Sequence, residues 1–174
     1  YHAVSVKLGE VLSAGKLHVI MIPPSVTDFS GNAVCDPSAK FGIPEMPAKG
    51  DVTFNELLFN PVPPCTDYIE LYNNSNKVID LSGILLSSAS GSVSPVRPVN
   101  IPCQLLPGEY IALTTDKQST SSSYMCSDEN RIFKADVLPS MPDDRGTLSL
   151  YNQNLDILDM VEYSNSMHIS FLSV

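Results

Sequence analysis

The sequence predicts an all-β protein, an immunoglobulin-like β-sandwich with extra strands on its N-terminal side. Three observations carry that expectation. Apolar runs are short and several alternate, as in Tyr68-Ile69-Glu70-Leu71-Tyr72. A period of two there puts Ile69 and Leu71 on one face and Tyr68, Glu70 and Tyr72 on the other. Fourteen prolines, with many serines and asparagines, interrupt the chain too often for long helices. About seven to nine short strands separated by turn signals are what two packed antiparallel sheets need.

The elements follow in order. Residues 3 to 8 alternate, with Val4, Val6 and Leu8 opposed to Ser5 and Lys7, and read as a half-buried strand. Val11 to Gly15 is a corner and Lys16 to Ile22 a nearly continuous apolar strand. Val26 to Val34 is a turn with Gly31 and Asn32 where positive φ is easiest. Residues 35 to 49 hold three prolines and one glycine without periodicity, and read as a linker. Strands are then expected at Asp51 to Phe59, at Asp67 to Asn73, and at Val78 to Leu81 paired with Gly83 to Ser87. An edge strand at Pro95 to Cys103 and a clear strand at Glu109 to Thr115 come next. Asp116 to Asn130 reads as a long polar loop and Arg131 to Val137 as a short strand. Gly146 to Tyr151 and Leu155 to Tyr163 form a hairpin across Asn152-Gln153-Asn154. The expected core is Val52, Phe54, Leu57, Ile69, Leu71, Ile111, Leu113, Leu148 and Val161.

Several stretches together resemble a known family. Gly50 to Asn74 offers a glycine, a short strand with Asn55-Glu56, an Asn60-Pro61 corner, then Asp67-Tyr68-Ile69-Glu70-Leu71-Tyr72-Asn73. Lys77 to Gly83, Leu106 to Tyr110 and Asp156 to Ser164 continue the pattern. In that order they resemble a bacterial lamin-tail domain, over about residues 50 to 166. The run Leu12 to Val34, with its V-T-D-x-x-G-N turn, resembles the end of a bacterial immunoglobulin-like domain. The organisation expected is therefore 1–34 as terminal immunoglobulin-like strands, 35–49 as linker and 50–174 as a lamin-tail sandwich. A chain opening on Tyr1 without Met reads as a piece of something longer. The N-terminal strands are expected to cover a sandwich edge that would otherwise stay open.

Charge narrows the partners. A net charge of −9, with ten Lys plus Arg scattered singly, supplies no basic patch to displace counterions from phosphate, so no nucleic acid is expected. The same sign disfavours an anionic membrane surface, and no apolar run reaches the ~18 residues of a spanning helix. His2, His18 and His168 lie in separate segments, and there is no G-x-S-x-G, H-E-x-x-H or Gly-rich phosphate loop. Glu56 and Glu70 sit on neighbouring strands, as a catalytic carboxylate pair would. They read instead as outward-facing or bonded to nearby backbone and tyrosine hydroxyls. Asp28, Asn32 and Asp36, like Asp143 and Asp144, lack the spacing of a dedicated calcium loop and read as turn formers. No cofactor is expected, calcium being the one left open. Tyr68, Tyr72 and Tyr110 could share a sheet face as a sugar platform, but the chain has no Trp and buried tyrosine with a bonded hydroxyl is the commoner outcome.

Cys35, Cys65, Cys103 and Cys126 form neither a CxxC pair nor a zinc-like spacing, and their places in or beside loops suit disulfides of an exported protein. If strands run alternately up and down, Cys35 pairs with Cys103 and Cys65 with Cys126, one of three possible pairings. By resemblance, the segment is a non-catalytic attachment or adhesion module of an exported bacterial protein. Its location would be extracellular, cell-surface or periplasmic, and its partner a protein or glycan at the cell surface. The expected contact surface is the 116–130 loop, with Ser119, Ser121, Ser123 and Tyr124, beside the 88–96 loop. The alternatives are a carbohydrate- or calcium-dependent binding module, or an accessory domain of a larger secreted hydrolase or nuclease.

Overall fold

The alternation at 68–72 becomes the central strand of a sheet, and its apolar side faces a second sheet. The computed structural model describes residues 5, 7–90, 92–93, 96–99, 101, 103–124 and 128–167. The strands are β1 His18–Met21, β2 Ser38–Phe41, β3 Val52–Leu58, β4 Tyr68–Asn73, β5 Ile79–Asp80, β6 Leu85–Ser90 and β7 Ser92–Val93. They continue as β8 Arg97–Pro98, β9 Gln104–Leu105, β10 Tyr110–Thr114, β11 Ile132–Lys134, β12 Arg145–Tyr151 and β13 Ile157–Ser164. A single α-helix among the described residues, α1 (Lys117–Ser123), lies between β10 and β11. One sheet runs β11-β10-β4-β3 and the other β13-β12-β6-β7, with β8 also on β6; β1-β2 and β5-β9 form separate pairs. The architecture is the all-β, immunoglobulin-like sandwich that the alternation predicts.

Of the nine expected core residues, Val52, Ile69, Leu71, Ile111, Leu113 and Leu148 are fully buried, and Phe54, Leu57 and Val161 pack against them half-buried. Leu86, Leu150 and Leu158 complete the facing sheet, while Ile79, Leu81, Ile84 and Leu105 join the same core. Each such side chain stabilises by about 1.5–3 kcal/mol relative to exposure. The strands expected as one hairpin, 78–81 and 83–87, separate instead. β5 pairs with β9, whereas β6 pairs with β12. The reversal at Ile84 N to Leu81 O is a crossing between sheets, because Leu81 and Ile84 both point into the core.

The edge strand β3 is closed by three devices. A bulge between Phe54 and Glu56 leaves Asn55 without a partner residue. The Phe54 amide donates to Asp159 Oδ2 at 2.8 Å, and the Gly50 amide to the Leu158 carbonyl at 2.9 Å. Such pairing removes the free backbone groups on which edge strands aggregate. The β12–β13 turn is held by buried Asn152, whose Oδ1 accepts from the amides of Asn154 and Asp156.

The stretch 35–49, expected as a linker, contains β2, the antiparallel partner of β1. Of the strand expected at 3–8, residues 3, 4 and 6 lie outside the described residues, and Ser5, Lys7 and Leu8 belong to no strand. It is not β1 that reaches the sandwich but its flanks. The Val78 amide donates to the Gly15 carbonyl, the Glu45 amide to the Val78 carbonyl and the Asp80 amide to the Glu45 carbonyl, at 2.9 to 3.1 Å. A Cβ at Gly42 would lie 2.5 Å from the Lys16 carbonyl oxygen and 2.7 Å from Val78 Cγ2, so only glycine permits this approach. The edge of β5 is thus covered by the backbone of Gly15 and Glu45.

Candidate functional site

The outward face of the four-stranded sheet gathers most of the chemistry that the sequence singled out. Because side chains alternate, Tyr68, Glu70 and Tyr72 point away from the core on β4. Opposite them on β10 stand Thr114, Ala112 and Tyr110, and on β3 stand Leu58, Glu56 and Thr53. Tyr72 and Tyr110 pack ring on ring, centroids 4.6 Å apart and tilted by 30°, and Tyr110 is 45% exposed. Glu56 lies directly across from Glu70. The Tyr68 hydroxyl donates to Glu56 Oε1, and Asn55, freed by the bulge, donates from Nδ2 to Glu70 Oε1 at 2.6 Å. Burial of Tyr68, then its bond to Glu56, pushes that phenol well above its ordinary value. Glu56 therefore bonds a tyrosine hydroxyl, as the sequence reading expects, whereas Glu70 accepts from an asparagine amide that the reading did not name.

The other half of this face is covered. Residues 116–130, expected as a loop, contain α1 and a 3-10 turn at Glu129–Arg131. Asp116 caps α1 by accepting from the Ser119 amide, and Ser122 bonds back to the Gln118 carbonyl at 2.9 Å. A serine-rich run therefore holds a helical turn only because it is capped and docked. Buried Thr120 meets Thr114 Oγ1 at 3.0 Å, which also meets Thr66 Oγ1 at 3.0 Å. Tyr124 stands edge-on to Tyr68, centroids 5.6 Å apart. Of the expected contact residues, Ser121 is half-buried on the helix. Ser123, then Ser119 and Tyr124, hydrogen-bond the Cys65 thiol and hold it below its ordinary value, against desolvation.

Cys35, Cys65 and Cys103 are free thiols, so the expected Cys35–Cys103 bridge is not formed. The reason is topological: the up-and-down scheme treated 35–49 as linker. Cys35 sits exposed in the connection from β1 to β2, while Cys103 is half-buried against the sandwich core. Burial pushes the Cys103 thiol up. Cys126, the expected partner of Cys65, lies outside the described residues, as do His2 and His168. The 88–96 stretch continues β6 to Ser90 and returns as β7.

The acid clusters resolve as turns. Asp28 accepts from the Ser30 and Asn32 amides and from Asn32 Nδ2 at 2.8 to 2.9 Å, and these bonds, the Asn32 side chain foremost, lower its pKa. Asp36 accepts from the Ser38 amide at 3.5 Å. Asp144 pairs loosely with Arg145 at 3.9 Å. Among the described residues no group of three or more His, Cys, Asp or Glu side chains is placed to hold a metal ion. A cleft of about 630 Å³ opens beside Asp144, Arg145, Gly146, Glu162 and Met167. His18, set in the β1–β2 ribbon near the Phe41 ring, leaves Nε2 without a partner among the described residues.

Sequence reading missed Tyr163. Its ring packs on Phe59 at 4.4 Å and lies over Gly146, where a Cβ would meet the hydroxyl at 2.5 Å. That hydroxyl is buried without a hydrogen-bond partner among the described residues. Burial, then the carboxylates of Asp67, Asp144 and Asp143, push it up to about 12. Tyr163→Phe removes an unsatisfied polar atom and is expected to leave stability unchanged or raise it by about 1 kcal/mol. A bonded tyrosine would lose about that much, so urea denaturation distinguishes the two cases.

None of the curated proteins matches the chain. Residues 45–165 match the family model of the Lamin Tail Domain, beginning slightly before the stretch whose motifs carry the resemblance. Since the match spans well over half of the sequence and falls on a two-sheet β-sandwich, the chain belongs to the Lamin Tail Domain family.

Proposed function

We infer that the chain is a non-catalytic binding module that works by presenting a rigid sheet face to a protein or glycan partner. The observation that carries this reading is the stacked pair of half-buried Tyr72 and exposed Tyr110 beside Glu56 and Glu70, on a sheet whose other face is locked into the core. Tyrosine gives large contact area at small entropic cost, and groups mounted on strands hold their positions. The finer reading is attachment at the surface of a bacterial cell, as part of an exported protein that does not enter the membrane. What supports it is the order of parts. The run Leu12 to Val34, which holds β1 and the Val26 to Asn32 turn, resembles the end of a bacterial immunoglobulin-like domain set before a lamin-tail sandwich. Val19, Met21 and Phe29 are exposed on that ribbon, as on a hairpin that lends its apolar face to further strands.

The test is a titration of isotope-labelled protein with a panel of surface glycans and short peptides, followed by amide shifts. Saturable shifts centred on Glu70, Tyr72, Tyr110 and Ala112, abolished by Tyr110→Ala at unchanged thermal stability, are expected. Shifts centred on the Asp144–Arg145–Glu162 cleft instead, or binding that survives Tyr110→Ala, would refute the reading.

A further inference from the structure

We propose that the partner of this face inserts an arginine side chain, its guanidinium seated between the Glu56–Glu70 pair and the Tyr72–Tyr110 pair. The inference rests on the reading above and narrows it to one ligand chemistry. Glu56 and Glu70 are direct cross-strand neighbours, and like charges so placed repel. No cationic side chain among the described residues offsets that repulsion. Their ion pairs join Lys77 to Asp51, Arg131 to Glu109 and Arg145 to Asp144, and none reaches Glu56 or Glu70. The donors these two acids do have, the Tyr68 hydroxyl and the Asn55 amide, are neutral and occupy one oxygen of each carboxylate. The second oxygens accept no hydrogen bond among the described residues. Two acceptor oxygens and two formal charges thus face outward from a chain whose net charge is −9.

The neighbours select the shape of the cation. Ala112 stands opposite Glu70 and Tyr110 opposite Tyr72, so the small alanine leaves the ground between carboxylate and rings open. Glu70 and Tyr72 are two residues apart on one strand face, a separation of about 7 Å. A planar guanidinium can stack on a tyrosine ring and donate to a carboxylate at that reach. An ammonium can reach the carboxylates, but it is compact and strongly hydrated and has no planar face to lay on the tyrosine rings. A neutral sugar would leave the acid pair uncompensated.

The test compares Ac-Gly-Arg-Gly-NH2 with its citrulline isostere, which keeps the shape and loses the charge. The amide shifts of Glu70, Tyr72 and Tyr110 report binding, and a neutral oligosaccharide serves as a third ligand. The arginine peptide is expected to bind at least tenfold more tightly than the citrulline peptide, and to weaken in about 0.5 M salt. Glu70→Gln is expected to cost about tenfold in affinity while leaving thermal stability equal or higher, since it relieves a repulsion. Opposite movements of affinity and stability cannot come from misfolding. Tyr110→Phe, which keeps the ring, retains binding, and Tyr110→Ala loses it. Equal binding of the two peptides, or unchanged affinity in Glu70→Gln, overturns the inference. A face that takes the neutral oligosaccharide but not the arginine peptide sustains the wider reading and refutes this one; a face that takes neither refutes both.

Discussion

Replacing Asn73 by alanine is expected to lower the unfolding free energy by about 3–4 kcal/mol, a large loss for one polar residue at the end of a strand. Asn73 is fully buried at the end of β4. Its Nδ2 donates to the carbonyls of Lys77 and Leu105, both at 2.8 Å. Its Oδ1 accepts from the Ser75 amide at 3.0 Å and the Ser75 hydroxyl at 2.7 Å. One side chain therefore ties the end of β4 to the following turn and to β9. Truncation strands several buried polar groups at once, each costing about 1–3 kcal/mol if it finds no water. Asn74→Ala is the control. That residue is exposed, and its side chain reaches the Gly50 carbonyl only at 3.4 Å, so a change within about 0.5 kcal/mol is expected. Urea midpoints for the two variants check the account, and equal midpoints would remove Asn73 from its place as a hub.

Leu71→Ala and Leu148→Ala should each cost about 2–5 kcal/mol, because each empties a site at the centre of the two-sheet core. Both side chains are fully buried, one on β4 and one on β12. For a chain of this length that corresponds to a fall in melting temperature of about 5–15 °C. The paired result matters more than either value. If the sheets share one core, both variants weaken a single cooperative transition. Two separate transitions in calorimetry would mean that the sheets are held apart.

How much of this could be read from residue order follows from the range of each interaction. Alternation over 68–72 and 110–113 is local, so it located β4, β10 and their buried sides correctly. The β12–β13 hairpin was equally legible, its strands being joined by a short polar turn. What failed was non-local. Ile79 and Asp80 look like the first arm of a hairpin, yet their partners are Gln104 and Leu105, chosen by the core rather than by proximity. Ser38 to Phe41 alternates over four residues only, Ala39 and Phe41 against Ser38 and Lys40, too short a run among prolines to mark a strand without the hydrogen bonds of β1. The helical turn at 117–123 depends on the Asp116 cap and on Thr120 meeting Thr114 across the fold. The acid pair was visible as two glutamates, but the bulge that frees Asn55 to reach Glu70 was not. That bulge shifts the pairing of β3 by one residue, which no propensity specifies. Tyr163 falls within the Asp156 to Ser164 pattern, but that its hydroxyl has no partner among the described residues is a property of its surroundings alone.

The backbone bonds linking Gly15 and Glu45 to Val78 and Asp80 have an angular consequence. A ribbon stitched to β5 through carbonyls and amides, with Gly42 pressed against Val78, acts as a bracket and not as a swivel. Whatever β1 and β2 carry is then held at a constant bearing to the Tyr72–Tyr110 surface. Torque applied to the one is passed to the other.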